Sequence, residues 1–291
     1  MEIDSRIKDC LACPKCRVGI VADEGGWLCG SCQQKYPVIA GQSFFRDPVE
    51  RNRLVDGGRG VERNDSVILG LKAFAKRWPN FFLFLYKVAA PFIGKTAEKF
   101  VAEQAQGSLI LNLGSGAKII APGVINVDYD AFPGVGVVTD VQALPFKDGS
   151  VDAIISESVL EHLPNPQLAV AEISRVLRSA GGLYVVTPFM LGYHSSPRDY
   201  YRWTEYGMSE LLKNFELKES GSAWGPTVAV ASVGGAWLAL ILSFGSSKLY
   251  QFWVVFFIFF FAIFTRVDHL LKFHPRAKDN AHGLYFVAIK K

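Results

Sequence analysis

A chain of 291 residues is long enough for one large α/β domain with a small module beside it, and too short for several full domains. A formal net charge of only +4 implies no strong nucleic-acid partner, while 50% hydrophobic residues, 22 of them Phe, are many for a soluble enzyme. All five cysteines fall within Cys10–Cys32, which points to a metal site in a reducing compartment rather than a disulfide framework. The opening MEIDSRIKDC lacks the apolar core of a cleavable signal peptide.

Residues 1–46 contain Cys13-Pro-Lys-Cys16 and, twelve residues on, Cys29-Gly-Ser-Cys32. Two CxxC knuckles at this spacing can present four thiolates to one tetrahedral Zn²⁺, and Pro14 and Gly30 suit the tight turns. Cys10 lies three residues before Cys13 and leaves the ligand set open; the CPxC form favours Cys13. The expected ligands are Cys13, Cys16, Cys29 and Cys32, holding a structural zinc with no open position for catalysis. With the YPVIAGQSFF tail, the segment resembles the small zinc-ribbon proteins that partner tRNA methyltransferases. That resemblance implies a role in recognising a substrate or protein partner beyond stapling a short segment together.

Residues 47–65 are charged and glycine-rich and read as a linker. Residues 66–106 read as a helical lead-in interrupted at Trp78-Pro79. Within it, Phe81–Gly94 carries only Lys87 as a charge and is too short to span a bilayer, so a buried or interfacial helix is expected, possible cover for a pocket.

From about Gly107 the pattern changes. The apolar run Leu109–Leu113 breaks into Gly114-Ser115-Gly116, a second run Val124–Val127 ends on Asp128, and a third, Val135–Val138, precedes Asp140. Strand, glycine turn, strand and acid outline a nucleotide site, because glycine lets backbone approach a ligand and a terminal acid can accept two ribose hydroxyls. Val151–Ser156 is a fourth, continuous apolar strand ending on Glu157. Asn165-Pro166 then starts a helix as cap and first residue, Gly181-Gly182 ends it, and Leu183–Thr187 is a fifth strand. Strands alternating with helices predict a parallel sheet, with ligands beyond the carboxyl ends of its strands.

In order and content, LNLGSG, INVDYD, TDVQALPF, ISESVLEHL and ISRVLRSAGGLYVVTPF resemble the motifs of class I S-adenosylmethionine (SAM) dependent methyltransferases, particularly the type 11 branch. The resemblance implies a Rossmann-like methyltransferase sheet with SAM as cofactor. It places Gly114, Ser115 and Gly116 along the methionine part, Asp128 and Tyr129 at the ribose, and Asp140 and Val141 at the adenine, with Asn112 and Glu157 also lining the site. Two departures stand out: Asn112 replaces the family's usual Asp or Glu, and Lys118–Pro122 leaves no room for a full first helix.

After the fifth strand, residues 192–212 crowd His194, Asp199, Tyr200, Tyr201, Arg202 and Trp203 ahead of Thr204, a helix cap. This resembles a type 11 submotif found among proteins of glycan and lipid modification. His194 and Asp199 are candidate bases for an acceptor hydroxyl or amine, and His162 is a lesser one. The plainer alternative is a structural loop using Asp199 and Arg202 as a surface pair.

Residues 223–278 read as an apolar hairpin. Ser220–Ser247 has no charge, and residues 249–265, LYQFWVVFFIFFFAIFT, form a seventeen-residue uncharged run at the lower edge for a span. No polar face recurs at helical spacing, so the run needs burial all round. Gly283–Ile289 looks like a last sheet strand, which divides the methyltransferase domain into 107–222 and 279–291 and makes the hairpin cross a membrane twice or not at all. Basic residues after the hairpin place the catalytic part on the cytoplasmic face. The expected protein is a methyltransferase acting at a membrane on a lipid-linked, glycolipid or otherwise amphipathic acceptor. Two rivals remain: an RNA methyltransferase that uses the ribbon for substrate, and a non-catalytic membrane scaffold that kept a SAM-binding fold.

Overall fold

The computed structural model describes residues 5–46, 87–194 and 198–291, so the expected linker 47–65 and the lead-in up to residue 86 lie outside the described residues. Eleven strands are β1 (Ile20–Asp23), β2 (Gly26–Cys29), β3 (Lys35–Ile39), β4 (Gln42–Phe44), β5 (Ile110–Leu113), β6 (Val124–Asp128), β7 (Val137–Val138), β8 (Val151–Glu157), β9 (Leu177–Pro188), β10 (Phe215–Trp224) and β11 (Gly283–Lys290). They join in the order β1-β2-β3-β4-β7-β6-β5-β8-β9-β11-β10.

The centre is parallel, from β7 through β6, β5 and β8 to β9, and it closes on antiparallel β11 and β10. Chain order reverses between β6 and β8 on either side of β5, making β5 the switch point at which open α/β sheets leave a crevice for ligands. Side chains alternate across the pleat. Leu111 and Leu113 join one core layer with Leu144, Phe146, Ile154 and Ile173, while Ile110 joins the other with Phe100, Ile155, Tyr184 and Tyr285. Helix α1 (Ala97–Ala102) covers the second layer through Phe100, stacked on Tyr184 at 5.6 Å, and α2 (Pro166–Val176) covers the first through Ala169, Ile173 and Val176.

Parallel neighbours ordinarily need a helical crossover of a dozen residues or more. Between β5 and β6 the chain crosses in residues 114–123 without a helix, as the short Lys118–Pro122 segment requires.

The N-terminal module continues this sheet. β4 pairs in parallel with β7, Ser43 opposite Val137 and Phe44 opposite Val138. A second seam joins Leu11 to Phe146, with Ala12 donating to the Pro145 carbonyl at 3.0 Å and Lys147 to the Cys10 carbonyl at 2.8 Å. Trp27, Tyr36 and Phe45 accordingly share a core layer with Leu111 and Phe146. Across that seam Glu172 accepts from Arg17 at 2.6 Å, from Arg175 and from the Leu144 amide at 2.9 Å.

Three expectations need correction. The second helix ends at Val176, and β9 begins at once, so Gly181-Gly182 lies inside the strand, where a register shift opposite Val151–Ala153 takes up the irregularity. Asn165 makes no side-chain cap bond, and Pro166 alone marks the start of the helix. β10 appears where charged and apolar residues gave no strand signal, and it runs on to Trp224. The Thr204 cap is present, its Oγ1 accepting from Gly207 at 3.0 Å at the head of α3 (Glu205–Leu211).

Between β10 and β11 lie two apolar helices packed on each other, α4 (Pro226–Leu242) and α5 (Ser247–Ala262). Fully buried Asp268, in the segment after α5, ties that segment to the start of α4, its carboxylate accepting from the amides of Thr227 at 2.9 Å and Val228 at 3.2 Å. Among the described residues no single helix is long and apolar enough to cross a membrane; Ser247–Ala262 and Thr265–Leu271 pass that test only as a pair bent by 47°.

Candidate functional site

The carboxyl ends of β5, β6, β7 and β8 meet at one edge, and the predicted residues gather there. Gly114 and Gly116 both take left-handed backbone, φ 62° and 54°. Ser115 donates its amide to the Val127 carbonyl at 3.2 Å, so the loop folds back onto the end of β6. There Asp128, buried, accepts from the Gly116 amide at 2.7 Å and the Asp130 amide at 2.8 Å. Burial pushes its carboxyl up, against the pull of those amides. Asp140 accepts from the Gln142 amide at 2.8 Å, and Val141 beside it is buried.

Asn112 is built into the sheet. It donates to Asn126 Oδ1 at 3.1 Å, and Asn126 donates to the Lys118 carbonyl at 3.1 Å, so Asn112 steadies the glycine loop through a neighbour. Glu157 pairs with Lys118 across the loop. Tyr129 lies under the guanidinium of Arg46, 3.9 Å from ring centroid to carbon, and Arg46 also reaches Asp130 at 3.6 Å. The N-terminal module thus touches the residue that follows Asp128. Nothing in the sequence marked Arg46, because only the pairing of β4 with β7 brings it there.

Past β8 the chain turns at Ser158, which holds φ 54°, so that Val159 packs on Gly114 and Leu160–His162 form a single 3₁₀ turn. That turn meets the segment after β9. The Tyr200 amide donates to the Glu161 carbonyl at 2.8 Å, His162 Nδ1 lies 2.5 Å from the Arg198 carbonyl, and the rings of His162 and His194 meet edge to face at 5.0 Å. Burial holds the His194 imidazole below its usual range, against the pull of Asp199.

Asp199 is the firm part of this cluster. Both its oxygens accept from Arg202, at 2.5 and 2.6 Å, and Oδ2 also accepts from the His194 amide at 2.9 Å. Its side chain is 2% exposed, and although burial alone would raise its pKa, Arg202 keeps it low. Asp199 is therefore no free base, and it is the buried member of a pair whose Arg202 stays partly exposed. Glu161, fully buried beside both histidines, was passed over in favour of its neighbour His162; burial raises its carboxyl to about 7.

The four Sγ atoms of Cys13, Cys16, Cys29 and Cys32 lie within 4.8 Å of one another, and Cys13 and Cys32 are 3.7 Å apart. Tetrahedral Zn–S bonds place sulfurs about 3.8 Å apart, so the set fits zinc. Cys10 stands apart, its Sγ directed at the Ser150 carbonyl at 3.8 Å, which resolves the ligand ambiguity. The Tyr36 hydroxyl, 3.1 Å from Cys13 Sγ, supplies the outer hydrogen bond common around such thiolates.

Residues 120–185 match a family model described as a methyltransferase domain. An uncharacterized chloroplastic methyltransferase of Arabidopsis thaliana is 34% identical over 131 residues, 35% of this chain and 37% of that one. A Mycobacterium tuberculosis protein named a probable S-adenosylmethionine-dependent methyltransferase is 40% identical over 88 residues, 26% of this chain and 32% of that one. The chain spans between 15% and 37% of the length of the curated relatives it matches. Among solved structures, a Burkholderia thailandensis 1,6-didemethyltoxoflavin-N1-methyltransferase overlaps at a TM-score of 0.44 with 15% identity, covering 90% of this chain and 98% of that one.

Proposed function

We propose that the protein is a SAM-dependent methyltransferase acting at a membrane surface on an amphipathic or lipid-linked acceptor. The observation that carries the donor assignment is the meeting of Gly114, Gly116 and buried Asp128 at the β5 switch point within and beside the matched domain. A ligand at that edge has the Gly116 backbone, where 4 Å around an added Cβ is empty, for close approach, and the remaining lone pairs of Asp128 for ribose hydroxyls. Val141 offers an apolar wall and Asp140 an acceptor for the adenine. Bound there, SAM supplies a methyl group on a sulfonium that is already a good leaving group. The chain's own task is alignment and exclusion of water, for which the turn at Val159–His162, packed on Gly114, and Arg198–Trp203, bonded to that turn through Tyr200, would serve.

The membrane part of the reading is supported by the outer faces of α4 and α5. Trp237, Leu240, Ile241, Phe252, Phe256 and Phe260 are each 45–62% exposed on two helices packed on each other, and large apolar side chains exposed together mark interaction surfaces. Lys272 and Arg276 follow the hairpin, where anionic headgroups would lie.

Two measurements test the two halves. Isothermal titration with SAM is expected to give one site per chain, lost in Asp128→Ala; no binding to the wild-type chain sinks the donor assignment. Flotation with anionic phospholipid vesicles is expected to carry the wild-type chain and to leave Phe256→Lys/Phe260→Lys behind; equal flotation of both rejects the hairpin as the contact.

A further inference from the structure

The cluster above the glycine loop contains a buried carboxyl with no hydrogen bond at standard geometry. Glu161 is fully buried, and among the described residues neither Oε1 nor Oε2 meets a hydrogen-bond partner at standard geometry, although the Ser158 hydroxyl and its own amide lie near enough to favour the charged form. A carboxylate so placed is costly unless something charged or protic meets it. Arg202, whose charge acts on Glu161, directs its own N–H groups to Asp199, to the carbonyls of Leu191, Gly192 and Tyr201, and to His194 Nδ1 at 3.4 Å. What does face Glu161 is a pair of imidazoles: Nε2 of His162 and Nε2 of His194 each lie 3.9 Å from its Oε1, and the three donor atoms fall within 4.8 Å of one another.

We propose that Glu161, His162 and His194 bind one first-row divalent transition cation, such as Zn²⁺, Co²⁺ or Mn²⁺, through Oε1, Nε2 and Nε2. Two imidazoles and one carboxylate are a recurrent ligand set for these ions and leave coordination positions open. The outer contacts fit. The Arg198 carbonyl at 2.5 Å takes the Nδ1 proton of His162 and so directs the Nε2 lone pair at the site. His194 Nδ1 lies between a donor, Arg202 Nη2 at 3.4 Å, and an acceptor, Asp199 Oδ2 at 3.5 Å; in the tautomer whose Nδ1 proton goes to Asp199, Nε2 is free for the site, and the grip of Asp199 on Arg202 and on the His194 amide holds that residue in place. Metal bonds of about 2.1 Å at tetrahedral angles set donors about 3.4 Å apart, so the 3.9 Å spacings must close by about half an ångström. His194, with a side chain 35% exposed, has the freedom to do so.

The role of the cation rests on the methyltransferase reading; its binding does not. A cation here, on the turn that packs over Gly114, would hold an acceptor oxygen in an open position and favour its deprotonated form before methyl transfer. The acceptor class that follows is a hydroxyl or phenol compound, with oxygen as the methylated atom.

The test is a Co²⁺ titration of the full chain with zinc already in the cysteine site. We expect one further equivalent of Co²⁺ with d–d bands and no thiolate charge-transfer band, weakened at least tenfold in Glu161→Gln and in His162→Ala. The partly exposed His194→Ala serves where a buried substitution fails to fold, with the same loss expected. Absence of a second Co²⁺, or affinity unchanged in the variants, overturns the site. Co²⁺ binding in a chain that does not bind SAM leaves the metal site standing and removes the methyltransferase reading instead.

Discussion

Gly114 and Gly116 look equivalent in the sequence and should behave very differently on substitution. Both hold left-handed backbone, so an alanine at either costs about 1–2 kcal/mol in conformation alone. At Gly116 nothing lies within 4 Å of an added Cβ, and the cost stops there. At Gly114 the new methyl would sit 2.4 Å from Val159 Cγ2, which forces the turn after β8 outward and adds an overpacking cost of about 1–3 kcal/mol. Gly114→Ala is therefore expected to lose about 2–5 kcal/mol in urea unfolding against about 1–2 for Gly116→Ala. Because the displaced turn follows Glu157 directly and carries Glu161, the affinity for SAM should fall with it. Val159→Ala in the Gly114→Ala background removes the clashing branch and should return about 1–2 kcal/mol, visible as a coupling energy in a double-mutant cycle. Equal losses at the two glycines, or strict additivity with Val159→Ala, would refute the packing argument.

Two further outcomes follow from the N-terminal module. Cys32→Ser should release the zinc, measured by metal content, and strip the order of β1–β4 from the far-ultraviolet dichroism, whereas Cys10→Ser should retain one zinc per chain. Glu172→Gln should destabilise the chain by about 2–3 kcal/mol at neutral pH, since it leaves Arg175 and Arg17 facing a neutral group. Burial alone would raise the Glu172 carboxyl, but the two arginines outweigh it and hold it low. The stability it contributes is thus complete above the ordinary glutamate value of about 4.3 and lost as pH falls below it. Wild type and variant should converge in stability on acidification, and a gap that stays constant to pH 3 contradicts the assignment.

What could be read in the sequence was whatever the local pattern determines. The runs at Leu109–Leu113, Val124–Val127 and Val151–Ser156 are buried on both faces, hence continuously apolar, and lie within a residue of β5, β6 and β8. The glycine loop was legible because left-handed backbone between a strand and an acid leaves few alternatives to glycine. β10 was not, because an edge strand with Glu216, Lys218 and Glu219 along it shows neither continuous nor alternating apolar character. The extent of β9 was missed for a similar reason: its first turn is solvent-facing and irregular, so Gly181-Gly182 read as a terminus. The contact of Arg46 with Tyr129 and the second anchor of Glu172 on Arg17 depend on pairings between distant segments, and no window of neighbouring residues contains them.

The union of β4 with β7 is only two residue pairs wide, Ser43 on Val137 and Phe44 on Val138. As a contact between separate proteins so small a seam would hold only at high concentration, and each partner would present a raw sheet edge when alone. Carried on one chain, the two edges meet at an effective concentration that a tether can raise into the millimolar range, and neither is made without the other. Covalent fusion thus fixes the ratio of the cysteine-bearing module to the parallel sheet at one to one, and unfolding of that module becomes a loss of support for the edge of the sheet that carries Asp128.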